Sequence, residues 1–428
     1  MRVSFRYLVA VLTVVGVLPV TAQTTEVKIV GENVDSLLAI ARERHPELLA
    51  MRDDVAAAAE RIGPAGALPD PMFGVELRDF TNQGGVNESS GPNLLPARVG
   101  ATRYTVTQGL PWFGKRDLKR SIAEAEHETA QGLASATWAD LAWQIKQTFA
   151  QHYLHSVSLQ FGRENLELLA QLEKIAQVRY ANGAGAQQDA IRAQTERTAL
   201  KSELIQMQSE HEQAIVRLHT LVGRPVHFHL APKQTLRPMP APAQLEFREL
   251  MARLVARNPT LVADKWRIIA AERNRDLTLR NRYPDVNVGL AAMQERNRVN
   301  SYDLMFEVNI PLQQESRRAQ EREAERRVDA ATARHEAARN QALAEMDVSL
   351  NALQSARRIE TVLNDSLLPQ AELTLQAALA GYESGKVDFS TVLDAQRQIR
   401  KSKEDLAKAR VTQQMRLADI ERAIGEEL

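Results

Sequence analysis

The chain states one pattern twice. Tyr180-Ala-Asn-Gly183 returns as Tyr382-Glu-Ser-Gly385, Ala193-Gln194 as Ala395-Gln396, and Leu221-Val222-Gly223 as Ala423-Ile424-Gly425, each 202 positions later (180 to 382, 223 to 425). Nearer the start of each half, Pro46-Glu-Leu48 is answered by Pro259-Thr-Leu261, and Leu110-Pro111 by Ile310-Pro311. A duplication this long constrains the architecture before any residue is given a role. It predicts a pseudo-symmetric unit of two repeats, 23–222 and 243–428, joined by a proline-rich linker at 223–242. Features kept in both copies belong to the shared scaffold. Features present in one copy are candidates for something specialised.

Composition narrows the class. Lys+Arg and Asp+Glu each total 54, so no global field exists to hold nucleic acid. The absence of cysteine excludes disulfides, thiolate metal sites and cysteine nucleophiles. There is no P-loop, no nucleophile elbow and no His ligand spacing, so neither an enzyme nor a cofactor is expected. His227-Phe-His229 puts two imidazoles on one face of an extended segment, but without a third ligand it reads as a surface pair. Residues 1–22 read as a signal peptide: a basic start, an apolar run from Tyr7 to Val17, and small residues ending at Ala22. Beyond it no apolar stretch reaches the ~18 residues of a spanning helix, so a membrane crossing would have to be a β-barrel.

Four short segments alternate with a period of two. Phe73, Val75 and Leu77 share a face, as do Tyr104, Val106 and Leu110. In the second half Val286, Val288 and Leu290 do the same, then Leu304, Phe306, Val308 and Ile310. The expected strands are about 71–80, 101–111, 284–294 and 301–311, with a long polar loop at 81–100. Outer-membrane strands of ~9–11 residues have this pattern, and so does a soluble hairpin with one buried face. Aromatics stand at the segment ends: Trp112, Phe113 and Tyr283 at one, Phe80 and Tyr302 at the other.

The rest reads as helix. One helix is expected from after Asn33 to about Arg61, broken by Gly63-Pro64, and another from Lys115 to about Val178. The returning segment places Leu200, Leu204, Met207, His211, Ala214, Leu218 and Leu221 on a heptad seam. The second half repeats the pair over 316–381 and 390–424, with Pro369 as a kink. Four strands are too few for a barrel, which starts at ~8, and open edges are forbidden in lipid. Three copies would supply twelve.

The chain resembles the TolC-type outer-membrane efflux proteins over its whole mature length. The resemblance is carried by His45-Pro-Glu-Leu48, Leu68-Pro-Asp70, Gln108-Gly-Leu-Pro-Trp-Phe-Gly-Lys-Arg116, Tyr283-Pro-Asp285, the two Tyr-x-x-Gly turns and Val392-Leu-Asp-Ala395. It implies a mainly α protomer forming a trimer, whose twelve-stranded transmembrane β-barrel continues into a periplasmic α-helical barrel. It also implies a passive, gated exit duct that works with a periplasmic adaptor and an inner-membrane pump of the RND type. The 110–116 segment is most similar to the heavy-metal (Cus/Czc-type) branch, which implies export of heavy-metal cations. Organic-solute efflux and type I secretion stay open, as does a soluble periplasmic coiled-coil scaffold or adaptor whose hairpins form a small sandwich.

Within the resemblance, Tyr180, Asn182, Gly183, Ala184, Tyr382, Ser384, Gly385 and Lys386 form the tip turns that meet the adaptor. Asp189 and Asp394 match acidic residues that narrow the closed tube. Each is acidic in only one copy, since Asp189 aligns with Thr391 and Asp394 with Arg192.

Overall fold

The computed structural model describes residues 31–78, 80, 99–223, 230–231, 234–295 and 298–428. The expected signal segment, nearly all of the 81–100 loop, and His227 and His229 lie outside the described residues.

Proline decides the first break. Helix α1 (Val34–Arg44) opens at Asn33, whose side chain accepts the Ser36 N–H at 3.1 Å. The expected unbroken helix to Arg61 stops instead at His45, which is extended, and α2 (Pro46–Gly66) starts on Pro46. Proline disfavours helical backbone at the residue before it and suits the first helical position. The second half is built alike. Helix α5 (Phe247–Arg257) ends at Asn258, which caps α6 (Pro259–Arg280) by accepting the Leu261 N–H at 2.9 Å.

Helix α3 (Lys115–Ala181) has 67 residues, about 100 Å at the α-helical rise. Helix α4 (Gln187–Leu221) returns along it. In the second half α7 (Gln314–Val362) passes through a wide π turn at Leu363–Leu367 into α8 (Leu368–Glu383), and α9 (Phe389–Ile424) returns. The π turn is the form the Pro369 kink takes. Proline has no N–H for the carbonyl four residues back, and a widened turn relieves the clash.

Among the described residues, three large apolar clusters and a small one around Leu363 and Leu406 hold the helices. Leu37, Ile145, Phe149 and Leu218 seal the first half, and Leu250, Leu254, Met346 and Ile420 the second. A third, with Leu169, Leu200, Tyr382, Phe389 and Val392, joins both halves beside the interhelical turns. Each such side chain contributes about 1.5–3 kcal/mol on burial. Far from the turns, around residues 143–147 of α3, the contact with α9 is polar instead. Lys146 Nζ lies 2.8 Å from Glu421, Arg237 of the linker lies 2.9 Å from the same carboxylate, and Trp143 donates to Asp419 at 2.7 Å. Removing one partner of such a buried group is costly, so the network sets helix register more than it adds stability.

The strands β1 (Met72–Arg78), β2 (Ala101–Leu110), β3 (Val286–Glu295) and β4 (Arg298–Val308) form one antiparallel sheet in sequence order. Strand β4 starts three residues earlier than its alternation suggests, because pairing runs out to Arg298 opposite Glu295 and an irregularity at Met293/Gln294 resets the register. Pairing aligns Phe73, Val106, Leu290 and Leu304 in one row. They are 68%, 50%, 56% and 63% exposed. The opposite face carries Glu76, Arg103 and Asp303, with Arg103 3.9 Å from Glu76 and 4.0 Å from Asp303. The sandwich alternative is thereby corrected: the hairpins pair edge to edge in a single sheet, and the apolar face is open. Strands β1 and β4 are its edges, and such a face suits lipid rather than water.

Candidate functional site

The two interhelical turns are one backbone built twice. At Gly183 (φ 69°) the Ala184 N–H donates to the Arg179 carbonyl at 2.9 Å, and the Gly183 N–H to Tyr180 at 3.0 Å. At Gly385 (φ 72°) the Lys386 N–H donates to Gly381 at 2.7 Å, and the Gly385 N–H to Tyr382 at 3.0 Å. This bond pair closes a helix through a left-handed residue, which glycine adopts without steric cost. Asn182, Ala184, Ser384 and Lys386 are exposed around the glycines.

The side chains diverge. Tyr180 is half in solvent, whereas Tyr382 is 3% exposed, with its ring 5.2 Å from that of Phe389. Arg179 donates to the Tyr382 carbonyl and, at 3.0 Å, to that of Ala184, and its guanidinium sits 4.5 Å over the Tyr382 ring. The Tyr382 hydroxyl donates to Asp189 at 3.4 Å. Burial, aided by the Asp189 charge, pushes that phenol up from its ordinary pKa. Arg179, Asp189 and Tyr382 therefore clamp one turn to the other.

Asp394 is elsewhere. Its side chain is largely exposed and 3.5 Å from Arg397. It borders a groove of about 670 Å³ between the first turns of α4 and α9, with Ile191, Arg192, Glu196 and Leu393. Asp189 and Asp394 are thus not a pair within one chain. The sequence reading missed Arg179 and the ladder across this groove, in which Arg397 lies 2.7 Å from Glu196 and Arg400 2.9 Å from Glu203. The Arg397 hydrogen bond holds the Glu196 carboxyl below the usual range. One available signal was opposite charge on α4 and α9 at near-repeat spacing, 196 against 397.

Midway along α3 and α4 the seam carries a histidine layer. The rings of His152 and His211 stack 4.7 Å apart. Burial, then His211 and His155, lower the His152 pKa to about 4, and burial also lowers that of His211. Among the described residues no three His, Asp or Glu are placed to hold a metal ion, and no helix is long and apolar enough to cross a membrane.

Known proteins match this geometry. Residues 37–224 and 250–426 match the family described as Outer membrane efflux protein. The cobalt-zinc-cadmium resistance protein CzcC of Cupriavidus metallidurans is 26% identical over 288 residues, 66% of this chain and 67% of that one. The pyoverdine export outer membrane protein OpmQ of Pseudomonas putida is 22% identical over 408 residues, 92% of this chain and 85% of its own. Among solved structures, CusC superposes with a TM-score of 0.79 at 18% identity, covering 93% of both chains. VceC of Vibrio cholerae gives 0.77 at 17% identity, covering 92% of this chain and 96% of that one. The long helical hairpins, the lipid-suited four-stranded sheet and the family match agree: the chain belongs to the outer membrane efflux protein family, the TolC-type channels that extend from the outer membrane into the periplasm.

Proposed function

We propose that the chain is the passive, gated exit duct of a tripartite efflux system, working as a homotrimer with a periplasmic adaptor and an RND-type inner-membrane pump to export heavy-metal cations. The observation that carries the duct is the exposed apolar row Phe73–Val106–Leu290–Leu304 on a sheet with two open edges, joined to helices of up to 67 residues. Four strands cannot close on themselves, and twelve from three copies can. The reading assigns the chain no catalytic step, so the driving energy comes from the pump. The exposed turn residues Asn182, Gly183, Ala184, Ser384, Gly385 and Lys386, with Tyr180, are the adaptor-docking rim. Tyr382 serves that rim from beneath, since its side chain is internal.

The cargo reading rests on the similarity to CzcC, and the similarity to OpmQ favours a second one, export of an organic solute. Deleting the gene and scoring tolerance to cobalt, zinc and cadmium salts separates them. Lost metal tolerance supports the first, and unchanged metal tolerance with lost organic-solute export supports the second. A monomeric chain extracted without detergent, in place of a heat-modifiable outer-membrane trimer, would overturn the duct itself.

Opening is a rearrangement of the tip helices, biased by partners that bind the open form better. Asp394 lines the closed constriction, where three carboxylates around an axis repel. Asp394→Ala raises single-channel conductance in an intact trimer, and unchanged conductance would return Asp394 to an ordinary solvated carboxylate.

A further inference from the structure

The chain is neutral as a whole but not where the sheet meets the helices. The four junctions, 67–71, 111–120, 278–285 and 311–321, together carry eight Lys/Arg and five Asp/Glu, against 54 of each in the chain. Two of those carboxylates are already matched, Asp285 by Lys115 at 2.8 Å and Glu321 by Arg282. Arg120 is occupied by Glu124 at 3.0 Å, and Arg116 and Arg317 donate to the backbone carbonyls of Gly66 and Asn281. Lys119, Arg280 and Arg318 are exposed and form no ion pair among the described residues. Asp70, Asp117 and Glu315 are the junction carboxylates that form no ion pair among the described residues, and the eight cations still outnumber the five carboxylates by three.

These cations stand at the end of the apolar face. The alternation Val106, Gln108, Leu110 runs on to Trp112, and Phe306, Val308, Ile310 to Leu312, which is 81% exposed. Trp112 stacks on Tyr283 with ring centroids 5.4 Å apart and planes 6° from parallel, and the Arg280 guanidinium lies 5.9 Å from the Tyr283 ring. Phe113 beside them is 85% exposed. The order away from the sheet is therefore apolar rows, aromatic ring pair, cations. Tyr and Trp mark the headgroup level of a bilayer, and long basic side chains just beyond it reach the phosphates.

We propose that this band is a binding surface for anionic phospholipid headgroups of the periplasmic leaflet, with Lys119, Arg280 and Arg318 as the phosphate-contacting residues. The proposal rests on the sheet being the membrane-spanning part. A net-negative headgroup answers the surplus cations, whereas a zwitterionic one brings its own cation into the same layer.

The test uses the full-length trimer in nonionic detergent, with bound lipid counted by native mass spectrometry. Wild type and the Lys119→Gln/Arg280→Gln/Arg318→Gln variant are titrated with phosphatidylglycerol, with phosphatidylcholine, and with phosphatidylglycerol plus inorganic phosphate. Phosphatidylglycerol binds wild type more tightly than phosphatidylcholine, and the triple variant loses about tenfold or more of that affinity while phosphatidylcholine binding stays the same. Equal affinity for the two lipids, undiminished phosphatidylglycerol binding in the variant, or its displacement by inorganic phosphate would each overturn the proposal. Should the triple variant fail to assemble, Lys119→Glu alone must weaken phosphatidylglycerol selectively. Heat-modifiable migration of the same samples reports the barrel separately, so a stable trimer without lipid preference counts against this inference alone.

Discussion

Tyr180 and Tyr382 occupy one place in two turns with the same backbone hydrogen bonds, yet one ring is half in solvent and the other lies between Arg179 and Phe389. The positions around them are exchanged as well. In the first turn a Cβ on Gly185 would come within 3.1 Å of the Arg179 Cβ, and in the second a Cβ on Gly381 would come within 3.0 Å of Val387. Position 381 aligns with 179 and 387 with 185, so each copy sets one large residue against one glycine, in opposite order. The duplication preserves the volume of the contact and leaves its chemistry free. Arg179 uses that freedom to tie the first turn to the second.

The seams differ in the same way. His211 of the first copy stacks on His152, whereas Gln413, its counterpart 202 positions later (211 to 413), donates to Glu360 at 2.6 Å. Burial opposes the Glu360 charge, but the Gln413 and Arg410 hydrogen bonds outweigh it and hold the carboxyl below its usual range. One half carries a histidine layer that loses stability as pH falls from 6.5 toward 4, and the other carries at the matching place a carboxylate held ionised by hydrogen bonds.

The sharpest test of the turns is truncation. Tyr382→Ala should cost about 3–5 kcal/mol of local stability, as loss of a buried aromatic does, while Tyr180→Ala should stay within about 0.5 kcal/mol. Amide exchange over 182–186 and 384–388 in the trimer reads both, and equal effects would erase the difference between the copies.

Acid comes next in size. His152 has a folded pKa of about 4 against an ordinary 6.5, so its unfolded form binds the proton first. The stability it contributes is complete above pH 6.5 and is lost as pH falls toward 4, about 3 kcal/mol in all. Glu360, with its depressed pKa, keeps its contribution until pH falls below the ordinary carboxylate value. Exchange at pH 7 and pH 5 should therefore loosen the α3–α4 seam and spare α7–α9, and His152→Gln should remove the contrast.

Arg179→Ala should cost about 1–3 kcal/mol, from charged hydrogen bonds and a cation–π contact. Paired spin labels on the two turns would show a broadened distance, and an unchanged distribution would mean the clamp is idle. The smallest effect tests what the copies share. Gly183→Ala and Gly385→Ala should each cost about 1 kcal/mol of backbone strain, with no close packing at Gly183 and only an ordinary 3.5 Å contact at Gly385. Clearly unequal costs would break the claim of a common backbone.

The residues differ in how far the sequence alone discloses them. Gly183 and Gly385 are readable because a left-handed helix end is a local demand that glycine meets at any depth of burial. The strands are readable because a period of two is local too. The break at His45 is less so, although Pro46 marks it, because the apolar spacing of α1 carries on into α2. Asp189 is singled out by sequence as a gate residue, but its contact with the Tyr382 hydroxyl, 193 residues away, is not visible there.

By itself, then, the sequence determined the duplicated plan: two helical hairpins closed by glycine turns, two β-hairpins with one apolar face, and, among the described residues, no spanning helix. These follow from backbone stereochemistry and hydrophobic period, which act over a few residues. Tertiary structure alone decided which tyrosine is sealed, that Arg179 and Asp189 meet on it, that Asp394 stands apart on the groove, and that both hairpins join in one sheet with its apolar face outward. Burial and ion pairing depend on elements some 200 residues apart, and no local pattern specifies which of two equivalent positions will face the other half.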